Sequence, residues 1–175
     1  MAKAPMCEEM GSNGLHNNMS FLLGMYIIRQ ITRYECSWLK STDFHRLYSQ
    51  LTECTILTQE EFEEWFDTVQ NNECFALFGV ITRRNPQLVG LGTIWLHPRY
   101  YRSRGTSAHL EDVVIDKHHQ HSGLGKKLVE QIISWCKERG CYKIQLNCKS
   151  ELQEFYKSLG FESRVTGMEL PLNAS

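Results

Sequence analysis

Leu110-Glu111-Asp112-Val113-Val114-Ile115, then Gln120-His121-Ser122-Gly123-Leu124-Gly125, then the amphipathic stretch Leu124–Arg139, is the part of this chain that decides its architecture. His109 to Ile115 is apolar and β-branched enough to predict a strand. Leu128, Ile132, Trp135 and Cys136 recur on one face of a helix, and Gly140 suits the position just past its end. Between strand and helix lies a short glycine-containing loop. The first N–H groups of a helix have no partner inside it and sit at the positive end of its dipole, so together they suit a phosphate. Gly123 and Gly125 would let an anion approach the backbone, and Lys126 and Lys127 add positive charge. The spacing is neither the Rossmann fingerprint nor a P-loop. On these residues alone a phosphate cradle and a plain tight turn both remain open.

Working outward, Tyr142–Cys148 is expected to be a strand, Glu151–Leu159 a short helix ended by Gly160, and Ser163–Leu170 a last strand. Upstream, Cys74–Ile81 and Leu88–Leu96 form a hairpin about the Arg83–Pro86 turn, and Pro98–Ser107 is a polar loop. Met25–Thr32 is a first strand. Thr42 and Asp43 offer capping oxygens to a helix with Phe44, Leu47, Tyr48 and Leu51 on its stripe. Thr58-Gln59-Glu60-Glu61 has the capping-box pattern ahead of a stripe of Phe62, Trp65, Phe66 and Val69. Residues 1–24 show no periodicity and are expected to be a flexible leader, leaving 25–175 as one domain. The expected class is α/β, with a mixed, mostly antiparallel and partly parallel central sheet flanked by helices.

Composition narrows the partners. The formal net charge is -1, so no global basic field draws in nucleic acid or an anionic membrane, and no run is long enough to span a bilayer. The cysteines form no CxxC pair or zinc pattern, which fits reduced thiols in the cytoplasm. His118, His119 and His121 lie on a loop without further ligands and suit a solvated connection rather than a metal site. Cys148, closing an apolar strand, is expected to be a small core residue, as are Phe62, Trp95 and Trp135. His97 and His109 remain unassigned. Glu111 and Asp112 should point to opposite faces of their strand unless a bulge intervenes.

The pattern Q-x-x-G-x-G at Gln120–Gly125, between a strand and a long helix, resembles the acetyl-CoA pyrophosphate signature of the GNAT acetyltransferases. Leu110–Ile115, Cys141-Tyr142-Lys143-Ile144, Phe155-Tyr156-Lys157 and Gly160-Phe161 resemble the glucosamine-6-phosphate N-acetyltransferases within them. Ser49-Gln50-Leu51-Thr52 with Glu61-Phe62 is similar to that family's early helices, and the likeness runs from about Tyr26 to Leu170. It implies a sheet splayed between the strand ending near Ile115 and the one ending near Cys148, with the acyl-pantetheine of acetyl-CoA lying along Val113, Val114 and Ile115. It implies a pyrophosphate on Gln120, His121, Ser122, Gly123, Leu124, Gly125 and Lys126, and no metal. Residue chemistry alone makes Tyr156 a packed ring; the resemblance makes it the general acid, also in contact with the donor.

The resemblance further implies that Glu111, Asp112 or a backbone carbonyl near Asn147 handles the amine proton. Thr52, Arg99, Arg102, Glu111, Asp112 and Lys143 would bind a sugar phosphate, in a homodimer serving UDP-GlcNAc biosynthesis. Lys143 reads equally as an exposed strand lysine. The chain departs from the family pattern at Leu152, where Asn is usual, at Asn147, where an acid is usual, in its C-terminal residues, which lack basic side chains, and in the 98–107 loop. Two other functions therefore stay open: transfer to a different amine (another amino sugar, a polyamine, a protein N-terminus) and a non-catalytic CoA-binding module.

Overall fold

The computed structural model describes residues 24–35, 38–165, 167, 168 and 170. The expected leader, apart from Gly24, lies outside them. Strands β1 (Tyr26–Gln30), β2 (Phe75–Thr82), β3 (Leu88–Pro98), β4 (Thr106–Ile115) and β5 (Cys141–Leu146) form one five-stranded sheet in the order β1-β2-β3-β4-β5. All neighbours run antiparallel except β4 and β5, which are parallel. The right-handed crossover expected of such a pair carries the long helix α3 (Leu124–Glu138).

Alternation along the strands divides the core in two. Phe78, Ile94 and Leu110 turn to one side, where α3 supplies Leu128, Val129 and Ile132. Leu77 and Leu91 turn to the other, where α1 (Ser41–Tyr48) supplies Phe44 and Leu47, and α2 (Gln59–Gln70) supplies Phe62 and Phe66. Each such fully buried side chain stabilises the fold by about 1.5–3 kcal/mol. The α2 capping box forms as its sequence implies: Thr58 Oγ1 accepts from Glu61 N–H, and the Glu61 carboxylate accepts from Thr58 N–H at 2.8 Å. Among the described residues, no helix is long and apolar enough to cross a membrane.

Four expectations change. Thr42 and Asp43 lie inside the first turn of α1, whose N-cap is Lys40 with no side-chain cap bond. The polar loop after β3 is shorter than expected, because pairing of Pro98 with Thr106 and His97 with Ser107 starts β4 at Thr106. A tight turn at Tyr101–Arg104 closes it, with Arg102 and Ser103 both at φ 53°. β5 stops at Leu146, and a 3-10 turn (Ser150–Leu152) leads into the short helix α4 (Gln153–Lys157). Finally, residues 163–165, 167, 168 and 170 are not in a strand. Their composition suits one, but no sheet edge among the described residues takes up their backbone groups, and Val165, Met168 and Leu170 are 79%, 98% and 80% exposed.

Candidate active site

β4 and β5 pair from Thr106↔Cys141, with a register shift before Ser107↔Lys143, as far as Leu110↔Leu146 and no further. β4 continues to Ile115, while the chain beyond Leu146 turns off towards α4. The separation opens a cleft of about 290 Å³. Leu110, Glu111, Asp112 and Val113 line one wall; Asn147, Cys148, Lys149, Glu151, Leu152 and Tyr156 line the other. Asp116 N–H donates to Val89 O at 2.8 Å, so by strand alternation Val114 also directs its backbone groups to β3. The N–H and C=O of Val113 and Ile115 therefore face the splay. Among the described residues only the Ile115 carbonyl is taken, by Gln120 Nε2 at 3.0 Å.

A bulge organises the upper part of this wall. Leu91 pairs with Val114 and Thr93 with Glu111, so Gly92 alone faces Asp112 and Val113. Asp112 takes φ 52° to accommodate the extra residue. Strict alternation would have sent Glu111 and Asp112 to opposite faces; the bulge lets both line the same cleft. The Asp112 carboxylate accepts from Thr93 Oγ1 at 3.0 Å and from Tyr48 OH at 3.5 Å. Burial, and then the negative charge of Asp112, push the Tyr48 phenol well above its ordinary value, so it remains a donor. Glu111 Oε1 lies 4.0 Å from His109 Nε2. Glu111 and Asp112 also line a second cavity of about 480 Å³, roofed by α1 and α2.

The loop between β4 and α3 is built from backbone. Gln120 clamps it to Ile115, and Ser122 Oγ donates to His119 O at 2.5 Å. Gly123, the N-cap, sits at φ 79° with open space where a Cβ would be. No acidic residue or side-chain cap serves the first turn of α3. Among the described residues, the backbone N–H groups from Gln120 to Lys126 meet no protein acceptor. Lys127 pairs with Glu130 at 2.9 Å, whereas Lys126 is exposed. Gly125 does not play the part expected of it: a Cβ there would point at Ile115 and Phe155, 3.6 and 3.8 Å away. A methyl there would make ordinary contacts on the core side of the helix, away from the open side of the loop.

Asp116 anchors the start of the connection. It accepts from His118 N–H at 2.9 Å and pairs with Arg46, whose Nη2 also donates to Leu88 O at 2.6 Å. Burial alone would raise the Asp116 carboxyl, but the His118 bond and the Arg46 charge outweigh it and hold the group below the usual carboxylate value. His119 is not simply solvated. Its Nδ1 is buried 3.7 Å from Asp116, and its ring meets Tyr26 edge-on.

Tyr156 is 9% exposed, its ring packed edge-on against Phe155 and Phe161 at 4.9 and 5.7 Å between centroids. Burial, and then proximity to Cys148, raise its phenol above the ordinary value. It therefore stays protonated at neutral pH while lining the cleft opposite Glu111 and Asp112. Cys148 is exposed in that cleft, correcting its expected place in the core: the splay removes the strand that would have covered it.

The remaining site candidates stand apart. Thr52 is exposed after α1, and Thr52, Arg99, Arg102 and Lys143 line neither cavity. Arg99 Nε donates to Ser107 Oγ at 3.1 Å, and the Arg102 guanidinium and Lys143 ammonium lie 5.1 and 5.8 Å from the Tyr142 ring centre. This cluster is at the start of β4, four residues before Glu111, or roughly 13 Å at ~3.3 Å per residue. Sequence reasoning missed Thr93, which carries no local signal, and treated Tyr48 and Trp95 only as apolar-stripe or core residues.

A strand splayed from its parallel neighbour, beside unpaired N–H groups at a helix start, is the arrangement of an acyl-CoA-dependent transferase. The acetyltransferase (GNAT) family model matches residues 38–161, and the chain belongs to that family. Its relatives there are specific. It is 32% identical to glucosamine 6-phosphate N-acetyltransferase of Arabidopsis thaliana over 130 residues, 74% of this chain and 87% of the relative. Against glucosamine 6-phosphate N-acetyltransferase 1 of Dictyostelium discoideum it is 30% identical over 136 residues, 74% and 85% of the two. The crystal structure of the Arabidopsis enzyme superposes with a TM-score of 0.73 at 27% identity, covering 85% of this chain and 99% of that one. The chain is thus an N-acetyltransferase with the mixed, splayed sheet of its family.

Proposed function

We propose that the chain transfers the acetyl group of acetyl-CoA directly to the amine of glucosamine 6-phosphate. The observation that carries the reading is the cleft in which Tyr156 faces Glu111 and Asp112, in a chain 32% identical to an enzyme named for that reaction. Residues 25–175 are the catalytic unit in this reading. The donor lies in the splay. Val113 and Ile115 offer it backbone groups in the manner of an added strand, beside Val114. The N–H groups of His121, Ser122, Gly123, Leu124, Gly125 and Lys126 receive the pyrophosphate, while Gln120 holds the loop in shape.

Glu111 and Asp112 bind the substrate ammonium, and one of them takes its proton, with a backbone carbonyl near Asn147 able to orient a water in its path. The freed amine attacks the thioester carbonyl, and Tyr156 protonates the departing thiolate. Proximity of donor and acceptor supplies much of the acceleration. Phenol and carboxylates carry the protons, so the reading needs no metal.

The phosphate is assigned to Arg99, Arg102, Lys143 and Thr52, contributed in part by a second copy. The separation of these residues from Glu111, and the exposure of Val165, Met168 and Leu170, favour such a homodimer. The setting proposed is the cytoplasm, in UDP-GlcNAc biosynthesis. Release of CoA thiol, measured with glucosamine 6-phosphate and with glucosamine, tests the substrate. A kcat/KM at least tenfold higher for the phosphorylated sugar is expected, equivalent to about 1.4 kcal/mol of transition-state binding. Equal values for the two would defeat it.

A further inference from the structure

We propose that the cavity under α1 and α2 is an acceptor pocket for primary amines carried on an uncharged aromatic body, and that the enzyme acetylates such amines as well. The proposal rests on acetyl transfer at the splayed cleft and is independent of the sugar reading. The cavity, about 480 Å³, has the size of a small-molecule site. Phe44, Phe62, Trp65, Phe75 and Trp95 wall it. The wall is a packed unit: the Phe44 ring sits 4.8 Å from Phe62 and 5.7 Å from Trp65, and Phe75 lies 4.8 Å from Trp95. Glu111 and Asp112 lie at its floor and also line the donor cleft. An amine held by these carboxylates is therefore presented to the thioester while its body remains among the rings.

Charge decides the occupant. Among the described residues, no lysine or arginine lines the cavity. Arg46, on the adjoining helix, is turned to Asp116 and the Leu88 carbonyl. Of the other polar side chains there, Ser41 Oγ is committed to Leu57 O at 2.5 Å, Cys54 Sγ donates to His45 O at 3.9 Å, and Thr93 and Tyr48 donate to Asp112. That leaves the Thr55 hydroxyl and the His45 imidazole, the one lining group that can carry positive charge. A phosphate would lose its hydration beside two carboxylates with at most the His45 imidazole to pair it, and sugar hydroxyls would face rings. An ammonium gains two carboxylates and aromatic faces, while a flat apolar body gains the walls.

In the transfer, the ammonium first gives one proton to Glu111 or, through water, to solvent. The nitrogen lone pair then forms the C–N bond to the thioester carbonyl carbon, and the C–S bond breaks. The thiolate takes the Tyr156 proton, and the second amine proton restores the phenol by way of water. Amide, CoA thiol and one released proton balance the reaction.

The test compares 2-phenylethylamine with ethanolamine, an amine of similar basicity but no ring, and with glucosamine 6-phosphate. Initial rates of CoA thiol release are read with acetyl-CoA saturating, and the amide is verified by mass. A kcat/KM at least tenfold higher for 2-phenylethylamine than for ethanolamine is expected. Trp65→Ala, with its fold checked by circular dichroism, should cut that margin below about threefold, and Trp65→Phe should keep most of it (tenfold corresponds to about 1.4 kcal/mol). Equal rates for the two simple amines overturn the inference in the wild-type protein alone, as does a margin untouched in folded Trp65→Ala. Turnover of the sugar phosphate without 2-phenylethylamine overturns it and leaves the proposed function standing. Turnover of 2-phenylethylamine without the sugar phosphate supports it and removes the proposed function.

Discussion

Replacing Tyr156 by Phe removes one oxygen from a ring that is otherwise held in place. Edge-on packing against Phe155 and Phe161 is retained, and the hydroxyl makes no hydrogen bond among the described residues that its loss would break. The variant should therefore melt within a few degrees of the wild type. Catalysis should change far more. Loss of a positioned general acid costs roughly 10²- to 10⁴-fold, or about 2.7–5.4 kcal/mol at 1.36 kcal/mol per decade. The loss should fall on kcat, because the phenol acts on sulfur only as the C–S bond breaks, while calorimetric affinity for CoA changes little. The raised phenol adds a pH signature. Deprotonation of the acid is displaced upward, so wild-type kcat should hold through pH 9 and fall only above the ordinary tyrosine value of about 10. An unchanged kcat in Tyr156→Phe at neutral pH would refute the assignment and leave solvent to protonate the thiolate.

The other expectations follow from single contacts. Gly123→Ala, forced to φ 79° in open space, should cost roughly 1–2 kcal/mol and weaken CoA binding by calorimetry. Gly125→Ala meets ordinary contacts at 3.6–3.8 Å and should leave both nearly unchanged; the reverse ranking would show that the cradle is misassigned. Cys148→Ala should keep most activity, since no hydrogen bond or ion pair activates its thiol among the described residues; a trapped acetyl-cysteine in the wild type would contradict direct transfer. Arg46→Met should destabilise the fold by about 1–3 kcal/mol at pH 7, less than an enclosed pair because Arg46 is 40% exposed. Since the folded Asp116 value is lowered, its contribution is present above the usual aspartate value near 4 and lost as pH falls through the depressed value. The gap between variant and wild type in urea unfolding should therefore narrow at pH 3, and a constant gap would argue against the ion pair as its source.

What was legible in the sequence depended on how locally each feature is encoded. The α3 stripe and the Thr58–Glu61 capping box need only a dozen neighbouring residues and match the structure closely. The start of β4 was missed because Thr106 and Ser107 are polar; cross-strand pairing with Pro98 and His97 makes them a strand. The expected last strand failed for the converse reason, having suitable residues but no described edge to join. Alternation places adjacent Glu111 and Asp112 on opposite faces unless a bulge intervenes, and only the Leu91–Thr93 register irregularity, set by pairing with a distant strand, shows that one does. The basic residues were placed near the chemistry by resemblance, whereas strand length holds them at the other end of β4.

That division also separates the two halves of the proposed reaction. The donor side is made of backbone: unpaired N–H groups, one glycine at positive φ and a parallel ladder that stops early. A short contiguous stretch specifies it, and changing an exposed side chain in a regular backbone conformation, such as Lys126, leaves those groups where they are. The acceptor side is assembled from α1, α2, β3 and β4, so single substitutions far apart in sequence can alter its charge and shape. Asp112 joins the halves. Its backbone forms the bulge on the donor wall, and its carboxylate is oriented by Thr93 and Tyr48 on the acceptor side. Loosening the carboxylate through Thr93 should therefore disturb acceptor selection before donor binding, because the bulge is held by strand pairing rather than by those two bonds.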